Sequence, residues 1–252
     1  MDKGLKIAVA GKGGVGKTTL AAWIGDYLAK QGKRVWMVDA DTTLSLGAAL
    51  GVKEEDLPTA LIDEKKLILS RTGSGGLISL TPEVNDLPGK LKYDMGNISL
   101  LVMGSLTGAG EGCACTANSI LKALLSHLIL ELDEWVVVDL EAGVEHLGRG
   151  TISGVDVFIV VSEPSCRSLN ASMKIASMAR ELGIKKILHI LNRSCQELNE
   201  KDIKERYSID ESIIMIPDLI SLRKRQLLHS SVLGLEEIDL VDSLMKQVID
   251  GL

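Results

Sequence analysis

Between a short apolar run and a stretch of helical period, the chain reads Gly11-Lys12-Gly13-Gly14-Val15-Gly16-Lys17-Thr18, followed by Thr19. The run fits G-x-x-x-x-G-K-[ST], and it has the setting that pattern requires, a predicted strand before it and a predicted helix after it. Few features restrict a fold more: a strand must feed a glycine-rich loop straight into a helix N-terminus. Glycines let backbone N–H groups converge on phosphate oxygens, and the helix adds the positive end of its dipole. Lys17 can reach the terminal phosphates, and the Thr18 hydroxyl can serve a magnesium ion.

The rest of the chain supports a sheet that can carry such a loop. Short β-branched runs at 5–10, 34–39, 77–80, 98–103, 135–140, 157–161, 186–191 and 213–216 alternate with helical patterns at 17–31, 117–132, 168–182 and 236–249. Gly183 follows the third helix as a C-terminal cap, and 70–76 and the glycine-rich 104–112 read as loops. This is an α/β pattern with a mainly parallel sheet, expected as a three-layer αβα fold of the P-loop NTPase kind, in a single domain over 1–252. Hydrophobic residues at 46% and charged residues at 25% suit a globular core. With a net charge of −6, no overall positive field recruits nucleic acid or anionic lipid, and neither is expected as a partner. Met1-Asp2-Lys3-Gly4 leads directly into the first strand, which leaves no room for a signal peptide, and no apolar stretch approaches ~20 residues. A cytoplasmic location is expected, where Cys113, Cys115, Cys166 and Cys195 are thiols or metal ligands rather than a disulfide framework.

Lys12 is an addition that the basic motif does not require, and with it the sequence resembles the deviant Walker A, or SIMIBI, class that includes MinD, ParA and the nitrogenase iron protein. The resemblance implies an ATP-sandwiched homodimer in which Lys12 crosses to the partner's phosphates. It assigns Asp41, in Asp39-Ala40-Asp41 at the end of the second strand, to positioning the attacking water. Val136-Val137-Val138-Asp139 is an apolar strand closing on an acid. Asp139 resembles the Walker B aspartate, which touches magnesium through water, and the Gly143 N–H of the switch II segment would face the γ-phosphate. Guanine-specific relatives use N-K-x-D, whereas this chain has Asn192-Arg193-Ser194-Cys195. A thiol cannot supply the charged acceptor for the guanine edge, so ATP is favoured over GTP. By resemblance Asn192 contacts adenine, with Pro217 and Asp218 in the later base-flanking loop; the family often has a polar residue two after the proline, where this chain has Leu219.

Cys113-Ala114-Cys115 lies in the glycine-rich loop just before a helix. Two thiols are too few for a closed site, but a two-fold dimer would bring four together, the usual number for a thiolate centre. On spacing alone structural cysteines are as good a reading as ligands, and soft thiolates suit nickel, zinc or copper(I) alike. Taken together, the 11–19 loop, the C-x-C pair and the 139–151 segment resemble the CooC family, ATPases that mature the nickel site of carbon monoxide dehydrogenase, including the AcsF branch acting on acetyl-CoA synthase. That resemblance implies a Cys113/Cys115 metal site across the dimer interface, Ni2+ as cargo with Zn2+ as the other candidate, Mg2+ with ATP, and one of those enzymes as client. Cys166 and Cys195 lack a partner at ligand spacing and are expected as packed thiols. His189 is expected in a buried strand, and Glu145-His146 is left without a role. A MinD- or ParA-like positioning switch would need a surface to bind. The C-terminal helix, with Ile238, Val241, Met245, Val248, Ile249 and Leu252 on one face and acids on the other, is expected to pack on its own core instead. An iron-sulphur reductase like the nitrogenase iron protein would need its two cysteines far apart in sequence, which this pair is not.

Overall fold

The computed structural model describes residues 3–72, 82–104, 114–132, 134–141, 154–195 and 197–252. Strands β1 (Lys6–Gly11), β2 (Val35–Ala40), β3 (Tyr93–Met95), β4 (Ile98–Val102), β5 (Trp135–Leu140), β6 (Val157–Ser162), β7 (Ile187–Ser194) and β8 (Ile213–Pro217) form one sheet in the order β3-β4-β2-β5-β1-β6-β7-β8. All neighbours run parallel except β3 and β4, which are antiparallel and joined by a tight turn in which Gly96 has φ 78°. The helices are α1 (Lys17–Lys30), α2 (Leu46–Leu50), α3 (Lys65–Thr72), α4 (Leu87–Leu91), α5 (Ala114–Glu131), α6 (Cys166–Glu181), α7 (Glu200–Tyr207), α8 (Ile220–Gln226) and α9 (Ile238–Asp250).

Strands β1, β2 and β6 are buried along their whole length, because helices cover both faces and both sets of alternating side chains need apolar surroundings. Ile7 and Val9 point into one core with Leu20, Ile24 and Leu28 of α1 and Val241, Met245 and Val248 of α9. Ala8 and Ala10 point into the other, with Leu121, Leu124 and Leu128 of α5 and Ala176 and Ala179 of α6. The three-layer αβα expectation therefore holds. Alternate residues of one strand fill different cores, so a register slip would exchange the two. Gly25 lets α1 lie close on the sheet: a Cβ there would come 2.4 Å from Met37 Sδ.

Several boundaries differ from the sequence reading. Residues 70–72, expected in a loop, complete α3, and the run at 77–80 lies outside the described residues. Gly183 does end α6, with φ 94° and its N–H on the Arg180 carbonyl at 2.9 Å. Cys166 and Cys195, expected as packed thiols, are exposed: the first opens α6 beside its Ser165 cap, and the second follows β7. The C-terminal helix buries Val241, Leu244, Met245 and Val248 against the sheet and α1, as expected. Among the described residues, no helix is long and apolar enough to cross a membrane.

Candidate nucleotide site

Parallel strands bring the loops after β1, β2 and β5 to one edge of the sheet, where β1 lies between β5 and β6. Ligands of open α/β sheets collect at such an edge, beyond the carboxyl ends of the strands. The glycines of the first loop answer to different demands there. A Cβ on Gly11 would come 2.4 Å from the Val161 carbonyl of β6, so the neighbouring backbone excludes one. Gly16 has φ 99°, and a Cβ there would lie 2.3 Å from Asn192 Nδ2. At Gly13 and Gly14 a Cβ would meet nothing within 4 Å, so that part of the loop is open to a ligand.

Helix α1 starts at Lys17 with no side-chain cap and no acid in its first turn. Its first N–H groups therefore lack the usual carboxylate or hydroxyl partner, which suits an external anion. Lys17 is buried at 6% exposure and Val15 is buried beneath the loop, while Lys12, Gly13 and Gly14 are exposed at its crest. Asn192, in β7, donates from Nδ2 to the Val15 carbonyl at 2.8 Å and so braces the loop from a strand two places away.

The acids converge on the same edge. Register places Asp139 of β5 beside Val9 of β1 on one side and Asp39 of β2 on the other. Both carboxylates are fully buried and Asp41 is 7% exposed. Thr18 Oγ1 donates to Asp139 Oδ2 at 2.6 Å, whereas Asp139 Oδ1 is buried without a partner. Burial pushes the Asp139 carboxyl up to about 7; the Thr18 hydrogen bond lowers it, the charge of Asp39 raises it, Lys17 lowers it and Asp41 raises it. A buried carboxylate oxygen without a donor, beside a threonine hydroxyl, suits a hard divalent cation, and this oxygen donor set fits magnesium.

Asp39 is engaged by the backbone that follows it. Its Oδ1 accepts from the Asp41 N–H at 3.2 Å and its Oδ2 from the Leu46 N–H at 2.9 Å, so it ties the loop after β2 to the first residue of α2. Burial raises its carboxyl to about 6, against the two backbone hydrogen bonds that lower it. Asp41 accepts from the Thr43 N–H at 2.9 Å and the Thr43 hydroxyl at 3.0 Å, which fixes its carboxylate above the strand ends. The sequence reading named Asp41 and Asp139 but not this bracing by Asp39; the D-x-D spacing at the end of an apolar strand was the available signal.

Pro217 ends β8, and Asp218 next to it is ion-paired with Arg223. Leu219 is buried in the core. Gly143, Cys113 and the 145–146 pair lie outside the described residues, and Cys115 falls in the first turn of α5. Among the described residues no group of three or more His, Cys, Asp or Glu could hold a metal ion.

Comparison with known proteins decides the class. Residues 6–238 match the CobQ/CobB/MinD/ParA nucleotide-binding domain. The chain belongs to this family. It is 43% identical over 214 residues to an uncharacterized ATP-binding protein of Methanocaldococcus jannaschii, covering 82% of each chain. It is 41% identical over 208 residues to the carbon monoxide dehydrogenase accessory protein CooC of Rhodospirillum rubrum, covering 80% of this chain and 79% of that one. The fold also superposes on the MinC:MinD cell division complex of Aquifex aeolicus, with TM-score 0.71 at 21% identity over 98% of this chain and 96% of that one. MinD of Pyrococcus horikoshii with Mg-ADP has TM-score 0.68 at 20% identity, covering 97% and 95%. These likenesses establish the CobQ/CobB/MinD/ParA fold, and the family is one of P-loop ATPases, of which this chain is one.

Proposed function

We propose that this CobQ/CobB/MinD/ParA-family ATPase is a nickel metallochaperone: one ATPase domain over 1–252 that pairs around ATP and loads metal into carbon monoxide dehydrogenase or acetyl-CoA synthase. The observation that carries the client assignment is the identity to CooC across four-fifths of both chains, well above the 27% to MinD of Thermotoga maritima.

ATP lies with its phosphates over the 11–19 loop, receiving N–H donors from Gly13, Val15, Gly16, Lys17, Thr18 and Thr19. Gly11 and Gly14 give the chain its close turn, and Lys17 meets the terminal phosphates. Magnesium would be held by the Thr18 hydroxyl and, through water, by Asp139, and would supply positive charge against that developing on the phosphates. Asp139 Oδ1, buried without a partner, is the oxygen that would receive a water of the metal's shell, and Thr18 Oγ1, which donates to Asp139 Oδ2, would turn its lone pair to the cation instead. Asp41 holds the attacking water, the Gly143 N–H faces the γ-phosphate, and adenine lies among Asn192, Pro217 and Asp218. Lys12, exposed at the crest of the loop, reaches the phosphates of the second subunit.

Closure of that dimer brings Cys113 and Cys115 of each subunit to one axis, where four thiolates hold Ni2+, or Zn2+ in its place, as cargo. Hydrolysis loosens the dimer and lowers metal affinity at the client. Metal and nucleotide must then each change the other's binding, because the linkage is reciprocal. Anaerobic metal titration of the wild type and of a Cys113→Ala/Cys115→Ala double variant, with and without ATP, tests the mechanism. Nickel affinity is expected to depend on nucleotide and to be lost in the double variant. Nickel binding indifferent to both would remove the cargo assignment and leave the ATPase.

A further inference from the structure

Among the described residues, the surface formed by α8 and the turn after it carries the most exposed large apolar side chains. Leu227 and Leu228 are adjacent and 83% and 81% exposed, with Ile220 at 65%. Single exposed leucines are ordinary, but a neighbouring pair projecting almost fully into solvent is not. The segment 219–235 that carries them contains Arg223, Lys224 and Arg225; Asp218, just before it, pairs with Arg223, and Lys224 is exposed.

This ridge is held firmly. Arg225 Nε donates to the Ser231 carbonyl, Trp23 Nε1 to the Val232 carbonyl, and the Val232 N–H to the Ala49 carbonyl of α2, each at 3.0 Å. Leu228 is a shared wall between two cavities. One, of about 340 Å3, also touches Lys224, Glu236 and Glu237, and the Glu237 carboxylate accepts the Ser221 hydroxyl. The other, of about 530 Å3, lies between Arg225 and His229 on one side and Lys53 and Glu54 on the other. Glu54, Glu55 and Asp56 form an exposed acidic turn beyond it.

We propose that this ridge is a self-complementary contact between two copies of this chain. Around a two-fold axis each patch meets its own copy, so an apolar centre must face an apolar centre and a basic rim must face an acidic one. The ridge meets both conditions, with the leucines at the centre, the exposed Lys224 on one flank and the acidic turn of residues 54–56 on the other, while Arg223 and Arg225 are engaged within the chain. Two leucines fall well short of the roughly 800 Å2 per partner of a stable interface, so the ridge reinforces a larger contact. Lys12 after β1 and α8 after β8 lie at the same edge of the parallel sheet, which places the larger contact at the nucleotide. Hydrogen bonds also join the two: the Asp39 carboxylate accepts from the Leu46 N–H of α2, and the Ala49 carbonyl of α2 accepts from the Val232 N–H. The loop that carries Asp41 thereby sets the position of the ridge.

The proposal rests on the dimer described above, and its test separates the two. Sedimentation velocity with magnesium and a non-hydrolysable ATP analogue is run on the wild type, Leu227→Asp/Leu228→Asp, Lys12→Ala, and Lys224→Glu with and without Glu55→Lys. The leucine variant is expected to bind nucleotide normally and to dimerise about 10- to 100-fold more weakly. Lys224→Glu is expected to weaken the dimer, and Glu55→Lys to restore it. Leucine variants that pair as tightly as the wild type, while Lys12→Ala does not pair, overturn the ridge and leave the nucleotide-bridged dimer standing. A wild type that is monomeric throughout removes both. Pelleting of the wild type, but not the leucine variant, with phosphatidylglycerol vesicles assigns the ridge to an anionic membrane and also overturns the proposal.

Discussion

Asp39 and Asp139 lie side by side on neighbouring strands, out of contact with water; burial is the main reason each is hard to ionise, and the charge of Asp39 adds to it at Asp139. Their folded values, about 6 and about 7, stand above the ordinary 3.8, so the native protein binds more protons than the unfolded chain across that interval. The sign follows: this contribution to stability is complete below about pH 4 and is lost as pH rises through 7. Nucleotide-free protein is expected to melt at a higher temperature at pH 5 than at pH 8, and magnesium with ATP to stabilise it more at pH 8, both read by calorimetry. Asp139→Asn should flatten the pH dependence. At Gly16 both φ and the Asn192 contact forbid a side chain, so Gly16→Ala is expected to abolish ATP binding in a filter or fluorescence assay. Asp41→Ala should instead retain binding and reduce turnover about 100-fold or more, as a lost water-positioning group does. The glycines, Lys17 and Thr18 were legible because phosphate chemistry dictates their spacing, whereas Asp41 and Asp139 were named from the family resemblance. The bracing roles of Asp39 and Asn192 were not legible, since both depend on which strands lie beside β1 and β2.

Elements with strong apolar periodicity were legible, and those without it were missed. Helix α7 buries only Ile203 among charged neighbours, so its pattern carries little beyond the Asn199 cap on the Lys201 N–H. Strand β3 is three residues long and half-exposed, and only the Gly96-Asn97 turn announces its pairing with β4. Cys166 was misread because a small apolar-like residue at a helix start was given the average burial of its type; Cys166 and Arg167, which open α6, are exposed, and burial begins only at Ser168 and Leu169. Helix α9 shows the opposite case, where the moment of the sequence and the burial agree. Met245→Ala is expected to cost about 2–5 kcal/mol in urea unfolding, because Met245 is fully buried. Leu240→Ser on the same helix, 41% exposed, should change stability by no more than about 0.5 kcal/mol.

At the scale of the molecule, a parallel sheet was readable from alternating strands and helices, but the strand order was not. Nothing local in β6 or β5 says that they, and not β2, flank β1. That arrangement bears on how the protein is made. The phosphate loop is complete within the first 19 residues, yet it leans on Val161 and Asn192, and α1 behind it is tied through Trp23 to Val232, 209 positions later. During synthesis the motif leaves the ribosome long before the strands that shape it. A chain halted before β7 is therefore expected to carry every residue of the nucleotide motif and yet retain no ATP, as stalled nascent chains probed with a labelled nucleotide would reveal. Competence would arrive abruptly, near the close of translation, which gives the cell no half-made version able to trap the nucleotide.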